Sequence, residues 1–296
     1  MSFLNILYIV IIVFILILFM LWGFIFIFLV NQKVTYKKKK EFEKILIEGL
    51  VSSYNKTRAK TTNQKLNSLK KHIKLDSKVF WKSAYIFVKV NRVVKFTQQH
   101  QFKKIFRDLN IDKILNSKIN NKDWYTKARA IWLSYEFDLK ENLEMISSYR
   151  DDENTLVRRE AQIALVHFLG WKSLAFFPYV TRTMSLWQQI RIIEKLKEIE
   201  GEIGLIHIDK ALSSENVIIK ELLMRIIKHF NFTHYKYFIV DQLFSDDWRL
   251  ITVAIDTLKY FESTAEEVKE IEERVQNLTG KKKRIVISNY LLSTHS

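Results

Sequence analysis

The 296-residue chain carries 48 Lys and Arg against 32 Asp and Glu, a formal net charge of +16, with six glycines, one proline and no cysteine. The missing thiol excludes disulfides, thiolate metal sites and cysteine nucleophiles. Too few turn residues are present for a β-rich or doubly wound α/β fold, so the expectation is an all-α fold of helices joined by short polar turns.

Charge is unevenly distributed. Asn31 to Ala130 holds 26 basic and 7 acidic residues, a balance of +19, whereas Ile131 to Ser296 holds 22 and 25, a balance of −3. That asymmetry asks for a physical cause near the first half.

Residues 1–31 read as a transmembrane anchor. Ile6 to Val30 contains no charge and only Gly23 outside the strongly apolar set. A helix of that length spans about 37 Å, against a hydrocarbon core of about 30 Å. A cleaved signal peptide would show a basic start, a shorter apolar core and a small-residue cleavage site, and these are missing here. Lys37, Lys38, Lys39 and Lys40 follow the apolar end and are the candidate membrane-surface residues. Basic flanks stay cytoplasmic, so the expectation is a single-pass protein with its N-terminus outside and its body in the cytoplasm.

Residues 32–122 form a basic helical region. Apolar residues at helical spacing predict helices over Glu41–Tyr54, Asn63–Ile73, Val79–Val94 and Gln99–Leu109, the third being apolar enough to be a central packing helix. Its many lysines read as a solvated face, as attraction to an anionic inner leaflet, or as nucleic-acid binding. Each Lys or Arg near an anionic leaflet contributes about 1 kcal/mol. Nucleic-acid recognition draws on Arg and on recognisable modules, yet Lys outnumbers Arg 35 to 13. The membrane surface is the favoured partner and nucleic acid the disfavoured one.

Residues 123–280 repeat at about 31 residues. Asp123–Asp138, Thr155–Gly170, Leu186–Gly201, Asn216–Asn231 and Asp247–Glu262 lie beneath one another, with Leu133, Leu165, Leu196, Ile226 and Leu258 in register as packing positions. Shorter apolar segments separate them, at Leu139–Tyr149, Leu174–Thr181, Gly204–Leu212 and Tyr235–Phe244. Each unit is thus a helix pair, and stacked pairs make an α-solenoid. Within the second stretch, Val157, Arg158, Ala161, Ala164 and Leu165 follow the turn Asp151–Asn154. This pattern resembles the second helix of a HEAT repeat of the bacterial HEAT-like type. The last stretch shares it in part, through Asp246, Asp247, Arg249, Ala254 and Leu258. The resemblance implies an α-solenoid whose usual work is protein–protein recognition. It brings no catalytic residue.

Chemical motifs are sparse. The seven histidines, among them His167 in a packed helix, show no metal-ligand spacing, and no phosphate-binding glycine loop is present. Ser68 to Lys71 matches Ser-x-x-Lys without companion motifs. The pairs Asp151-Asp152 and Asp246-Asp247 fall at turns, where Asp caps helices. Trp124, Trp187 and Trp248 recur near one repeat position and read as packing. An acidic segment, Glu262–Glu273, reads as the cap of the array. Residues 281–296 form a basic then apolar tail that either packs back or meets a partner.

The expectation is therefore a non-catalytic, membrane-tethered scaffold without cofactor or metal. It binds an unidentified protein partner at the cytoplasmic face, with an envelope-glycan synthase as one context. The alternative is a HEAT-like nucleic-acid-binding protein or an enzyme of glycosylase or lyase type, using a basic concave face.

Overall fold

The computed structural model describes residues 3–54, 67, 68, 70, 71, 73, 77–93, 105–199, 204–278 and 280–291, and all regular structure among them is helical. The chain divides into two compact units, Met1–Ile114 and Leu115–Ser296.

In the first unit, α1 runs unbroken from Phe3 to Tyr54. The sequence suggested an anchor and a separate helix at Glu41. The structure makes them one rod, and no Gly or Pro between Val30 and Glu41 interrupts the backbone ladder. Ile11–Val34 is long and apolar enough to cross a membrane, is wholly exposed, and has a mean hydropathy of 3.2. A membrane span and a signal sequence share those properties.

Helix α2 (Ser77–Val93) is amphipathic. Phe80, Ala84, Phe87 and Val88 are buried, and Phe87 meets Phe106 edge-on at 5.7 Å. Lys78, Tyr85, Lys89 and Arg92 stand exposed, with Lys82 half-buried, at spacings of four and three residues that keep them on one face. The expected helices Asn63–Ile73 and Gln99–Leu109 lie largely outside the described residues. Lys37 and Lys40 are exposed on α1, whereas the side chains of Lys38 and Lys39 lie outside the described residues.

The division between units falls within α3 (Ile111–Ile119). The second unit continues with α4 (Trp124–Glu136), α5 (Leu143–Ser147), α6 (Thr155–Leu169), a 3₁₀ segment Gly170–Tyr179, α7 (Leu186–Lys197), α8 (Leu205–Leu212), α9 (Val217–His229), α10 (Lys236–Gln242), α11 (Trp248–Leu258), α12 (Ala265–Gln276) and α13 (Gly280–Val286), which ends in a π turn, Ile287–Leu291. The long helices pack in chain order, α4 on α6, α6 on α7, α7 on α9 and α9 on α11, and the shorter elements pack beside them.

One device starts each long helix. Asp123, Asn154, Ser185, Asn216 and Asp247 are the N-caps, each accepting a hydrogen bond from a first-turn backbone N–H, and successive caps stand 31 residues apart. The cap fixes where the apolar stripe begins. Counting from it, the third, seventh and eleventh residues turn inward, one helical turn apart. They are Val157, Ala161 and Leu165 on α6; Gln188, Ile192 and Leu196 on α7; Ile219, Leu223 and Ile227 on α9; and Leu250, Ala254 and Leu258 on α11, all buried.

Leu133, Ala161, Leu165, Leu196, Ile226 and Leu258 are all buried. Counting from the caps corrects the register at two of them. Leu133 and Ile226 stand one residue before the stripe position, which Ser134 and Ile227 occupy. Ser134 fits there because its hydroxyl donates to the Ala130 carbonyl at 2.9 Å and accepts from the Asn142 amide at 3.1 Å.

Helix α12 begins with a capping box between Thr264 and Glu267. The tail packs back within the unit: Val286, Tyr290 and Leu291 are buried, and Tyr290 shares a 2.9 Å hydrogen bond with Ser263. Leu292–Ser296 lie outside the described residues.

Candidate functional site

The first two residues after each cap precede the buried stripe, and none of them is fully buried, although Leu156, Val217 and Ile218 are half-buried. At three of the five starts the sequence places tryptophan there. Trp124 is 46% exposed, Trp187 61% and Trp248 62%. The periodic tryptophans are therefore not core residues, which corrects the sequence reading. Repeat position suggested packing, but one or two residues past their N-caps these three side chains stand outside the buried stripe.

Trp124 and Trp248 directly follow their caps; Trp187 is second after Ser185. They belong to α4, α7 and α11, alternate members of the packing order. Other apolar side chains widen the edge. Tyr125 is exposed beside Trp124, while Leu186 and Ile190 are exposed on the same helix as Trp187. A row of exposed large apolar groups on a folded unit marks an interaction surface more often than chance exposure does.

The turns leading into the caps are acidic. Asp151, Asp152 and Glu153 precede α6; Glu215 precedes α9; Asp246 and Asp247 precede α11; and Asp123 caps α4, with Lys122, Arg150 and Arg182 of opposite sign in these turns. Asp247 caps as expected, accepting from the Arg249 N–H at 2.9 Å. The hydrogen bonds from Arg249 hold its carboxyl below the usual range. At the other pair the expectation is corrected, because Asn154 is the cap of α6. Asp151 instead bridges to the next turn, accepting from the backbone N–H of Arg182 at 3.1 Å and from Thr181, and Asp152 pairs with Lys127 at 3.6 Å. Burial alone would raise the Asp151 carboxyl, but the bonds from Thr181 and Arg182 hold it below the usual range. Glu153 and Glu215 are almost wholly exposed, and they pair with Arg182 at 3.8 Å and Lys220 at 3.0 Å.

Cations already cover other rings of this unit, Tyr125 and Tyr260 exposed and Tyr149 half-buried. Arg129 lies over Tyr125 at 5.4 Å, Lys127 over Tyr149 at 4.4 Å and Lys228 over Tyr260 at 5.8 Å. Among the described residues no cation lies over Trp124, Trp187 or Trp248.

His167 is half-buried between Tyr135 and Phe168, with Asp138 at 3.7 Å. Burial, reinforced by Lys195, lowers its pKa. Among the described residues no three His, Asp or Glu side chains are grouped to hold a metal ion.

No family model, no curated protein and no solved structure matches this chain.

Proposed function

We propose that the chain is a non-catalytic, membrane-tethered scaffold whose second unit is a HEAT-like solenoid holding a protein partner along the tryptophan-bearing edge. The observation that carries this reading is the exposure of Trp124, Trp187 and Trp248 at the starts of helices whose caps recur every 31 residues. A strict period supports a stack of like units, and such stacks present extended surfaces to partners. Tryptophan is the residue most enriched among the side chains that dominate binding energy at protein interfaces.

The tether is the exposed helix over Ile11–Val34, with Lys37 and Lys40 on the side that follows it. In this reading the basic flank keeps the body cytoplasmic, and the basic face of α2 meets anionic lipid, where each charge contributes about 1 kcal/mol. An envelope-glycan synthase remains one candidate context for the partner, resting on no residue of the site.

The test is co-purification from detergent-solubilised native membranes. Full-length protein should sediment with membranes, resist alkaline extraction and bring down one protein in near-equal amount. The triple variant Trp124→Ala, Trp187→Ala, Trp248→Ala should still sediment but lose that protein. Recovery of the protein in the soluble fraction, or equal capture by the triple variant, overturns the proposal.

A further inference from the structure

We infer that the membrane-spanning part of α1 is itself a recognition helix, whose Trp22 indole donates a hydrogen bond to an acceptor side chain on a membrane-spanning helix of the partner. The inference rests on the tethered-scaffold reading above and adds a second contact to it. Trp22 stands eleven residues after Ile11 and twelve before Val34, the ends of the apolar stretch. At 1.5 Å per residue it lies about 17 Å from either end, inside the hydrocarbon rather than at its surface. Tryptophan is normally concentrated at the two membrane surfaces, where its polar edge meets water. Trp22 is 70% exposed, and its N–H has no acceptor among the described residues.

The residues around it form one face. Phe19, Trp22, Gly23 and Phe26 are spaced i, i+3, i+4 and i+7, which puts them on a single side of the helix. Trp22 stacks on Phe26 with ring centroids 6.3 Å apart, which holds the indole on that side. A side chain begun at Gly23 would meet nothing within 4 Å. The chain's own packing therefore does not require glycine there, and glycine weakens a helix interior. Small residues at such points let two membrane helices approach closely.

Hydrogen-bond complementarity selects the occupant. A buried indole N–H usually finds an acceptor, and inside a bilayer neither water nor acyl chains supply one. Nor does a second copy. From Ile6 to Val30 the only side chains with a nitrogen or oxygen are Tyr8 and Trp22. Indole donates without accepting, and Tyr8 lies fourteen residues away. The weakly accepting thioether of Met20 falls outside the face. Copies of the chain insert in the same orientation, so a second copy would bring another donor to this depth and no good acceptor. A different membrane helix, with Ser, Thr, Asn or Gln near its midpoint, completes the bond.

The experiment is photocrosslinking of the full-length protein in native membranes, with a benzophenone side chain at Phe19, at Phe26, or at Phe28 on the opposite side of the helix. Phe19 and Phe26 should each yield one protein adduct. Its crosslinked peptide should lie in a membrane-spanning segment with Ser, Thr, Asn or Gln within one turn, whereas Phe28 should yield lipid adducts. Trp22→Phe, which keeps an aromatic ring and removes the N–H, should lower the Phe19 adduct about three- to twentyfold. Gly23→Leu should lower it too, and Phe24→Leu, off the face, should leave it unchanged. Resistance to alkaline extraction should show every variant inserted. Adducts of doubled mass, the same protein adduct from Phe28, or an undiminished adduct with Trp22→Phe overturns the inference. Lipid adducts alone at Phe19 and Phe26, with a protein adduct at Trp187, would overturn it and leave the scaffold reading standing. A protein adduct at Phe19 with none at Trp187 would uphold the helix contact and overturn the tryptophan edge.

Discussion

The side-chain amide of Asn216 donates to the carbonyl of Val180, so the residue that caps α9 also fastens it to the chain of the preceding repeat. Its Oδ1 accepts from the Ile218 N–H at 2.9 Å, which fixes the orientation of the amide. Asn154 caps α6 through Oδ1 alone, taking the N–H groups of Leu156 and Val157 at 2.9 and 3.3 Å. The two asparagines should therefore respond differently to the same change. Asn154→Asp keeps the acceptor and should be near neutral. Asn216→Asp cannot donate to Val180 and should cost about 1 kcal/mol, while alanine at either site should cost about 0.5–2 kcal/mol. Urea unfolding followed by circular dichroism measures all four.

A second link crosses the α6–α7 seam, where Gln188 donates its amide to Oε1 of Gln162, and Gln162 donates in turn to the Arg150 carbonyl at 2.7 Å. Both glutamines are buried. Leaving a buried group unpaired costs about 1–3 kcal/mol, so Gln188→Ala should destabilise by that amount. A double-mutant cycle with Gln162→Ala should give a coupling of at least about 0.5 kcal/mol, as residues in contact do. Additive losses would show that the seam bond contributes nothing.

Stripe and edge should separate cleanly in their effect on stability. Leu258 and Leu165 sit at the inner stripe, and truncating either to alanine should cost about 2–5 kcal/mol. Trp248→Leu, on the exposed edge, should change stability by less than about 0.5 kcal/mol. Thermal melts distinguish the two classes. A large loss at Trp248 would return it to the core.

Acidification should act through His167. Its pKa is lower in the folded chain than in the unfolded one, so the unfolded chain binds more protons as the pH falls below about 6.5. Stability is therefore complete above that pH and declines below it. His167→Gln should flatten this slope between pH 7 and 5, before the carboxylates titrate. Urea midpoints measured across that range provide the readout.

Much of this fold can be read from the chain because its cues are local. Scarce Gly and Pro gave helices, and the 25 uncharged residues from Ile6 gave a long apolar rod. The repeat was also visible, but aligning leucines located it loosely. On α4 and α9 residues ten and eleven past the cap are both buried, so Leu133 and Ile226 passed for stripe positions. The strict 31-residue period lies in the polar caps, where one hydrogen-bonded residue fixes the helix start and allows no slippage. The edge was misread for a related reason. Periodicity alone does not tell an inward tryptophan from an outward one; the distance from the cap does, and that required knowing where each helix begins. Asp151 was misassigned because its partners, Thr181 and Arg182, are about 30 residues away.

Site-specific photocrosslinking in native membranes tests the central claim most directly. A benzophenone side chain placed at Trp187 or Trp248 should yield one discrete protein adduct of the same mass, and one placed at exposed Lys197, near the other end of α7, should yield none. Adducts only to lipid at the tryptophan positions, or the same adduct from Lys197, would contradict a partner-holding edge.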